Sequence, residues 1–191
     1  MTFEFVAGNL ALDFVATVAE RRTTAEERLP TPGALAQWFV DAGVVDAPPA
    51  VDAQAYHRAL QLRESIWALL TTDADRPLDE AAVAALNRHA AAAVPVASLD
   101  PDRGVTTEGD LPACLAAVAR AAIDAFRPEN ARHLKWCEGT DCTRPFLDAS
   151  RASNRRWCGM AGCGDRAKAA AYRARKRATP PLPTPSQSLP R

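Results

Sequence analysis

Four of the five cysteines fall as two C-x4-C pairs, Cys137 with Cys142 and Cys158 with Cys163, with fifteen residues between the pairs. Paired thiolates on two short loops can place four sulfurs at the corners of a tetrahedron, the arrangement Zn2+ takes in a closed structural site. Two disulfides, or four unrelated buried thiols, are the competing readings. Such a site leaves no coordination position open for water, so it points to structure and away from catalysis. His133, four residues before Cys137, is the one histidine near enough in sequence to replace a sulfur. Cys114 stands alone in a helical pattern and reads as a small buried apolar residue.

Local signals around the cysteines describe a small module. Phe146 and Leu147 suggest one strand, Ser150 to Asn154 a turn, and Arg155 to Trp157 a returning strand. Gly159 and Gly162 permit a tight loop, and Asp165 suits a helix start. Loop, hairpin, loop and helix make a treble-clef-like finger. So few residues bury little core, so the metal would supply much of the folding free energy.

The helix after Cys163 is basic. Ala167, Ala170, Ala171, Ala174 and Ala178 share one narrow face at 100° per residue, which predicts close packing on the zinc core. Arg166, Lys168, Arg173, Arg175, Lys176 and Arg177 take the rest of the circumference. Residues 131–178 carry twelve Lys and Arg against four Asp and Glu, net +8, whereas residues 1–130 carry ten against nineteen, net −9. The formal net charge of zero therefore conceals two halves of opposite sign. A four-thiolate zinc centre accounts for only about −2 of local charge, so the basic excess reads as a footprint for phosphate. A solvated helix partnering the acidic half of the same chain is the plainer alternative.

No apolar run reaches the length of a membrane span, and the first twenty residues hold Glu4, Asp13 and Glu20 without a basic start. A cytoplasmic protein is expected, with thiols kept reduced, which favours metal over disulfide.

Residues 1–130 read as a mainly helical domain with minor β structure. Met1 to Ala7 suggests a strand, Gly8-Asn9 a turn and cap, and Leu10, Phe14, Val15 and Val18 a helix. Thr31-Pro32 opens a second helix that Gly43 ends. A long helix is expected from about Asp52 to Leu70, and another opening at Pro77 and Asp79. A hairpin should turn around Asp100 to Gly104, and a last helix run from Pro112 to Phe126. Thr179 to Arg191, with five prolines, reads as a disordered tail. His57 and His89 lie far from each other, and no nucleophile–base pair, phosphate loop or H-E-x-x-H motif is present, so no catalytic residue is assigned.

The run WC-x4-C followed by FLDASRASNRRWCGMAGCGDRAK resembles the CGNR zinc finger, a bacterial C-terminal module. Its signature falls on Cys163, Gly164, Asp165 and Arg166, with Asp165 where the family has Asn. LDFVATV at Leu12 to Val18, with ALAQWFVDAGV and ALQLRESIWALL, resembles the ABATE domain, which commonly precedes that finger in stress-induced transcription regulators. Ala16 stands where the family usually has Asn.

Together the residues and the resemblance imply a DNA-binding regulator with one structural Zn2+ on Cys137, Cys142, Cys158 and Cys163. Arg166, Lys168, Arg173, Arg175, Lys176 and Arg177 would meet phosphates, with one or two reading guanine. Arg155 and Arg156 would clamp the adjacent backbone. One finger reads few base pairs, so a homodimer through residues 1–130 is expected. The resemblance adds a small-molecule effector there. The alternative readings are an adaptor holding RNA or an acidic protein, and a redox switch releasing zinc on thiol oxidation.

Overall fold

The computed structural model describes residues 3–178. It is mostly helical with three two-stranded ladders. In chain order the elements are α1 (Leu10–Val15), β1 (Val18–Ala19), β2 (Glu26–Glu27), α2 (Pro32–Asp41), α3 (Ala53–Leu70) and α4 (Glu80–Ala90). There follow β3 (Val96–Leu99), β4 (Val105–Glu108), α5 (Leu111–Ala125), α6 (Pro128–Ala131), β5 (Leu134–Trp136), β6 (Pro145–Leu147), a π-turn at Met160–Gly164, and α7 (Asp165–Ala178). No helix among the described residues is long and apolar enough to cross a membrane. The proline-rich tail lies outside the described residues.

Short polar residues start the helices as their chemistry dictates. Asn9, Thr31, Asp52, Asp79 and Asp110 each accept backbone N–H bonds that the first turn leaves unpaired. Gly43, at φ +69°, turns the chain out of α2 in a conformation that a side chain disfavours.

The core gathers around α1. Phe14, Trp38 and Phe39 are buried and interlock, with centroids 5.1 Å apart for Phe14–Trp38 and 5.2 Å for Trp38–Phe39. Leu62 and Ile66 of α3 and Leu115 and Val118 of α5 close around them. Phe146 and the cysteine loops belong to the same apolar cluster, so finger and helical half share one core.

Beside this core lies a charge network centred on the buried Arg63. Arg63 donates to both carboxylate oxygens of Glu27 at 2.8 and 2.6 Å, to Glu64 at 2.9 Å and to the Thr17 hydroxyl at 3.0 Å. Arg21 holds the other side of Glu64 at 2.6 Å and lies 4.4 Å over Trp67. Trp67 in turn meets Trp136 of β5 edge-on at 5.3 Å, and Arg21 N donates to Thr143 Oγ1 at 3.2 Å. The network thus reaches the finger.

Residues 3–7 do not form the expected strand. The N–H groups of Val6 and Ala7 donate to Asp13 Oδ1 at 3.1 and 3.0 Å, which removes them from any ladder. Residues 155–157 are also not a strand. Arg155 N is bonded to Asp148 Oδ2, and of the three carbonyls only Arg156 O meets a backbone N–H among the described residues, that of Glu138. The finger's hairpin is β5–β6 instead, with Leu134 opposite Leu147 and Trp136 opposite Pro145. The hairpin at Asp100 to Gly104 does form, as β3–β4. The first helix ends at Val15, and Val18, expected in it, lies in β1.

Candidate metal centre and basic helix

The first cysteine pair sits in the β5–β6 turn, where Cys137 N donates to Arg144 O at 3.0 Å. The second pair brackets the entry to the π-turn that runs into α7. The four sulfurs all lie within 4.8 Å of one another. Cys142 and Cys158 are 3.9 Å apart, and Cys158 and Cys163 3.8 Å. A tetrahedron with Zn–S bonds of about 2.3 Å has edges of about 3.8 Å. Disulfide bonds are about 2.05 Å long, and all four thiols are free.

The loop is shaped for that approach. A Cβ on Gly139 would stand 3.1 Å from Cys142 Cβ and 3.1 Å from Cys163 Sγ, so a side chain would crowd the ligand cluster. Electrostatics point the same way. Hydrogen bonds from Cys142 and Cys158 hold the Cys137 thiol far below its ordinary range; Cys137 in turn pushes Cys142 up to about 11, against an opposing bond from Cys158, and Cys137 and Cys142 together push Cys158 higher still. Four adjacent sulfurs cannot all ionise without a cation, and a divalent ion removes that conflict. The donors fit one structural Zn2+, held by Cys137, Cys142, Cys158 and Cys163.

Further N–H groups support the sulfurs. Cys158 N donates to Cys137 Sγ at 3.3 Å and Arg166 Nη2 to Cys163 Sγ at 3.3 Å. Asp148 braces the frame from β6: its carboxylate accepts from Lys135 Nζ at 2.6 Å, Ser150 Oγ at 2.5 Å and Arg155 N at 2.8 Å. These donors, led by Lys135, hold its pKa well below the usual carboxylate range. His133 is not part of the cluster; its ring faces Ser153 Oγ at 3.4 Å.

The structure divides the eight basic residues of interest. Arg155 faces inward, stacked 4.5 Å from the Phe146 ring and donating to Trp157 O, Val6 O and Cys158 O. Arg156 is exposed, though paired with Glu138 at 2.5 Å. Arg166 combines exposure with its bond to Cys163. Lys168 lies 3.6 Å from Asp165, and Arg173, Arg175, Lys176 and Arg177 are exposed. The alanine face is not packed as its periodicity suggests. Ala167 is half-buried but Ala170, Ala171 and Ala174 are exposed, because beyond its first turn α7 does not pack this face on the body among the described residues.

A cleft of about 420 Å³ separates α7 from the helical half. Ala16, Ala19 and Arg28 line one wall, and Arg166, Ala170 and Arg173 the other. Sequence reasoning missed this cleft and the Arg166–Cys163 bond, since both depend on how α7 leaves the π-turn.

A four-sulfur finger on a helical domain defines the class. Residues 8–129 match the ABATE family, described as "Putative stress-induced transcription regulator", and residues 133–176 match the CGNR zinc finger. The chain belongs to the ABATE family. Neither family is an enzyme family. No curated protein matches the chain.

Proposed function

We propose that this chain is a zinc-dependent, DNA-binding transcription regulator. The observation that carries the reading is α7, a 14-residue helix exposed over nearly its whole length and rooted at the zinc ligand Cys163. The zinc centre fixes where the helix points. Its whole length, about 21 Å, suits a major groove that admits an α-helix. Arg166, Lys168, Arg173, Arg175, Lys176 and Arg177 supply cations for phosphates, and Arg156 is a further exposed cation on the finger. Arg155 acts inside the finger.

A single helix covers few base pairs, so the regulator works as a homodimer through the helical domain. Val96, Leu99 and Val105, at 64%, 73% and 63% exposure on β3–β4, are apolar surface that supports such a contact. The cleft is the seat for an effector, because a molecule held there touches both Ala16 and α7. The cytoplasm is the compartment this work requires.

The test is fluorescence anisotropy of a mixed-sequence duplex over a salt series, with and without a zinc chelator. Affinity should fall steeply with salt and vanish on chelation. Arg173→Ala/Arg177→Ala should make the log–log salt slope shallower by about 2, one phosphate per arginine. Absence of binding at low salt with zinc loaded removes the reading. Preference for single-stranded RNA over duplex DNA replaces it with the adaptor.

A further inference from the structure

Tyr172 is the one aromatic residue of α7, and it is 60% exposed. Among the described residues no hydrogen bond or ring contact reaches it. Its place on the helix is specific. Arg166, Ala169, Ala170 and Arg173 line the cleft towards the body. With 3.6 residues per turn, Tyr172 falls on the outward side. Lys168 lies one turn before it and Lys176 one turn after, so the three form a lengthwise strip, cation–ring–cation. Its other neighbours on the helix surface, three positions before and after, are Ala169 and Arg175, so the ring is bordered mainly by cations.

An isolated aromatic ring in water on a strongly basic helix carries an unmet apolar demand. The charges around it select a polyanion, and the ring needs an apolar surface within that polyanion. In the major groove that surface is the C5-methyl group of thymine, which apolar side chains touch in direct readout. Lysines one turn to either side can reach the phosphate walls while the ring faces the groove floor. The short alanine side chains keep the helix thin enough to sit deep.

We propose that Tyr172 is the specificity-determining residue of α7, reading a thymine methyl group in the major groove between phosphate contacts of Lys168 and Lys176. This rests on the DNA-binding reading above and adds the base that the helix recognises. Arg166 and Arg173, on the cleft side, then contribute charge without base choice.

The experiment begins with full-length, zinc-loaded protein and a pool of short duplexes randomised at the centre, from which the bound sequences are recovered. Each thymine of the recovered site is then replaced singly by uracil, which deletes only the C5-methyl group. One replacement should weaken wild-type binding about fourfold, the worth of one buried methyl group. Tyr172→Phe should keep that sensitivity. Tyr172→Ala should lose it at every position while its salt slope stays that of the wild type, since the phosphate contacts remain. Zinc content and circular dichroism establish that each variant is folded. If Tyr172→Ala retains the wild-type penalty, or if wild type shows none, Tyr172 does not read thymine although the protein binds DNA. If no duplex binds even at low salt, the DNA reading fails and this proposal with it.

Discussion

Cys158 stands at the tetrahedral spacing from two other sulfurs and takes its backbone N–H to a third, Cys137. Cys158→Ser should reduce bound zinc from one ion per chain to none by metal analysis. Arg63 is the corresponding residue of the helical half. It is 3% exposed, and the Glu27 and Glu64 carboxylates it bridges are held below their ordinary range by the hydrogen bonds of Arg63 and Arg21. Arg63→Ala strands that charge. A urea titration should show a loss of about 2 kcal/mol, the scale of hydrogen bonds to charged groups, because Glu27 and Glu64 both keep contact with water and Arg21 still holds Glu64. Residue identity made the zinc site legible, since cysteine spacing alone restricts what four thiols can do. It did not disclose Arg155. An arginine beside another arginine in a basic segment reads as a surface cation, and its acceptor Val6 O is 149 residues away.

At the scale of elements, α1 and α7 are opposites. α1 has six residues, nearly all buried, whereas α7 has fourteen and is exposed beyond its first turn. Removing zinc should therefore cost helicity in α7 and leave the helical core folded; far-UV circular dichroism should fall partly on chelation while the main thermal transition persists. Buried α1 predicts a pH effect instead. Burial raises the Asp13 pKa from 3.8 to about 6, against the opposing backbone bonds and the nearby arginines 144 and 155. A raised carboxylate binds its proton more tightly in the folded state. This contribution is full below pH 3.8 and is lost as pH rises through about 6. Relative to Asp13→Asn, the wild type should thus lose stability on the order of 3 kcal/mol between those limits. Paired denaturation curves at several pH values check this. Most elements were legible because caps and prolines mark where helices start. The alanine face of α7 was not. Periodicity says which residues share a side, but whether a surface waits for that side depends on the exit angle from the π-turn.

At the scale of the molecule, residues 4–7 hold the halves together although they lie outside both family matches. Asp13 grips the N–H groups of Val6 and Ala7 from one side. From the other, Arg144 bonds Glu4 O at 3.1 Å, Arg155 bonds Val6 O at 2.8 Å, and Leu147 N bonds Ala7 O at 2.8 Å. Deleting residues 1–6 should speed zinc release to a colorimetric chelator, because Arg155 then loses an acceptor beside Cys158. Composition could reveal two halves of opposite charge, but not this strap, whose partners have no local signature.

The strap also sets a timetable for synthesis. Glu4 and Arg144 are 140 residues apart, and ribosomes add about 5–20 residues each second. Residues 4–7 therefore wait, for roughly 7–30 seconds at those rates, before the arginines that hold them have even been made. The helical half can collapse in that interval, but its seam stays open until the finger emerges. Completion of this fold is thus postponed until residues 4–7 and the metal-binding segment are present together.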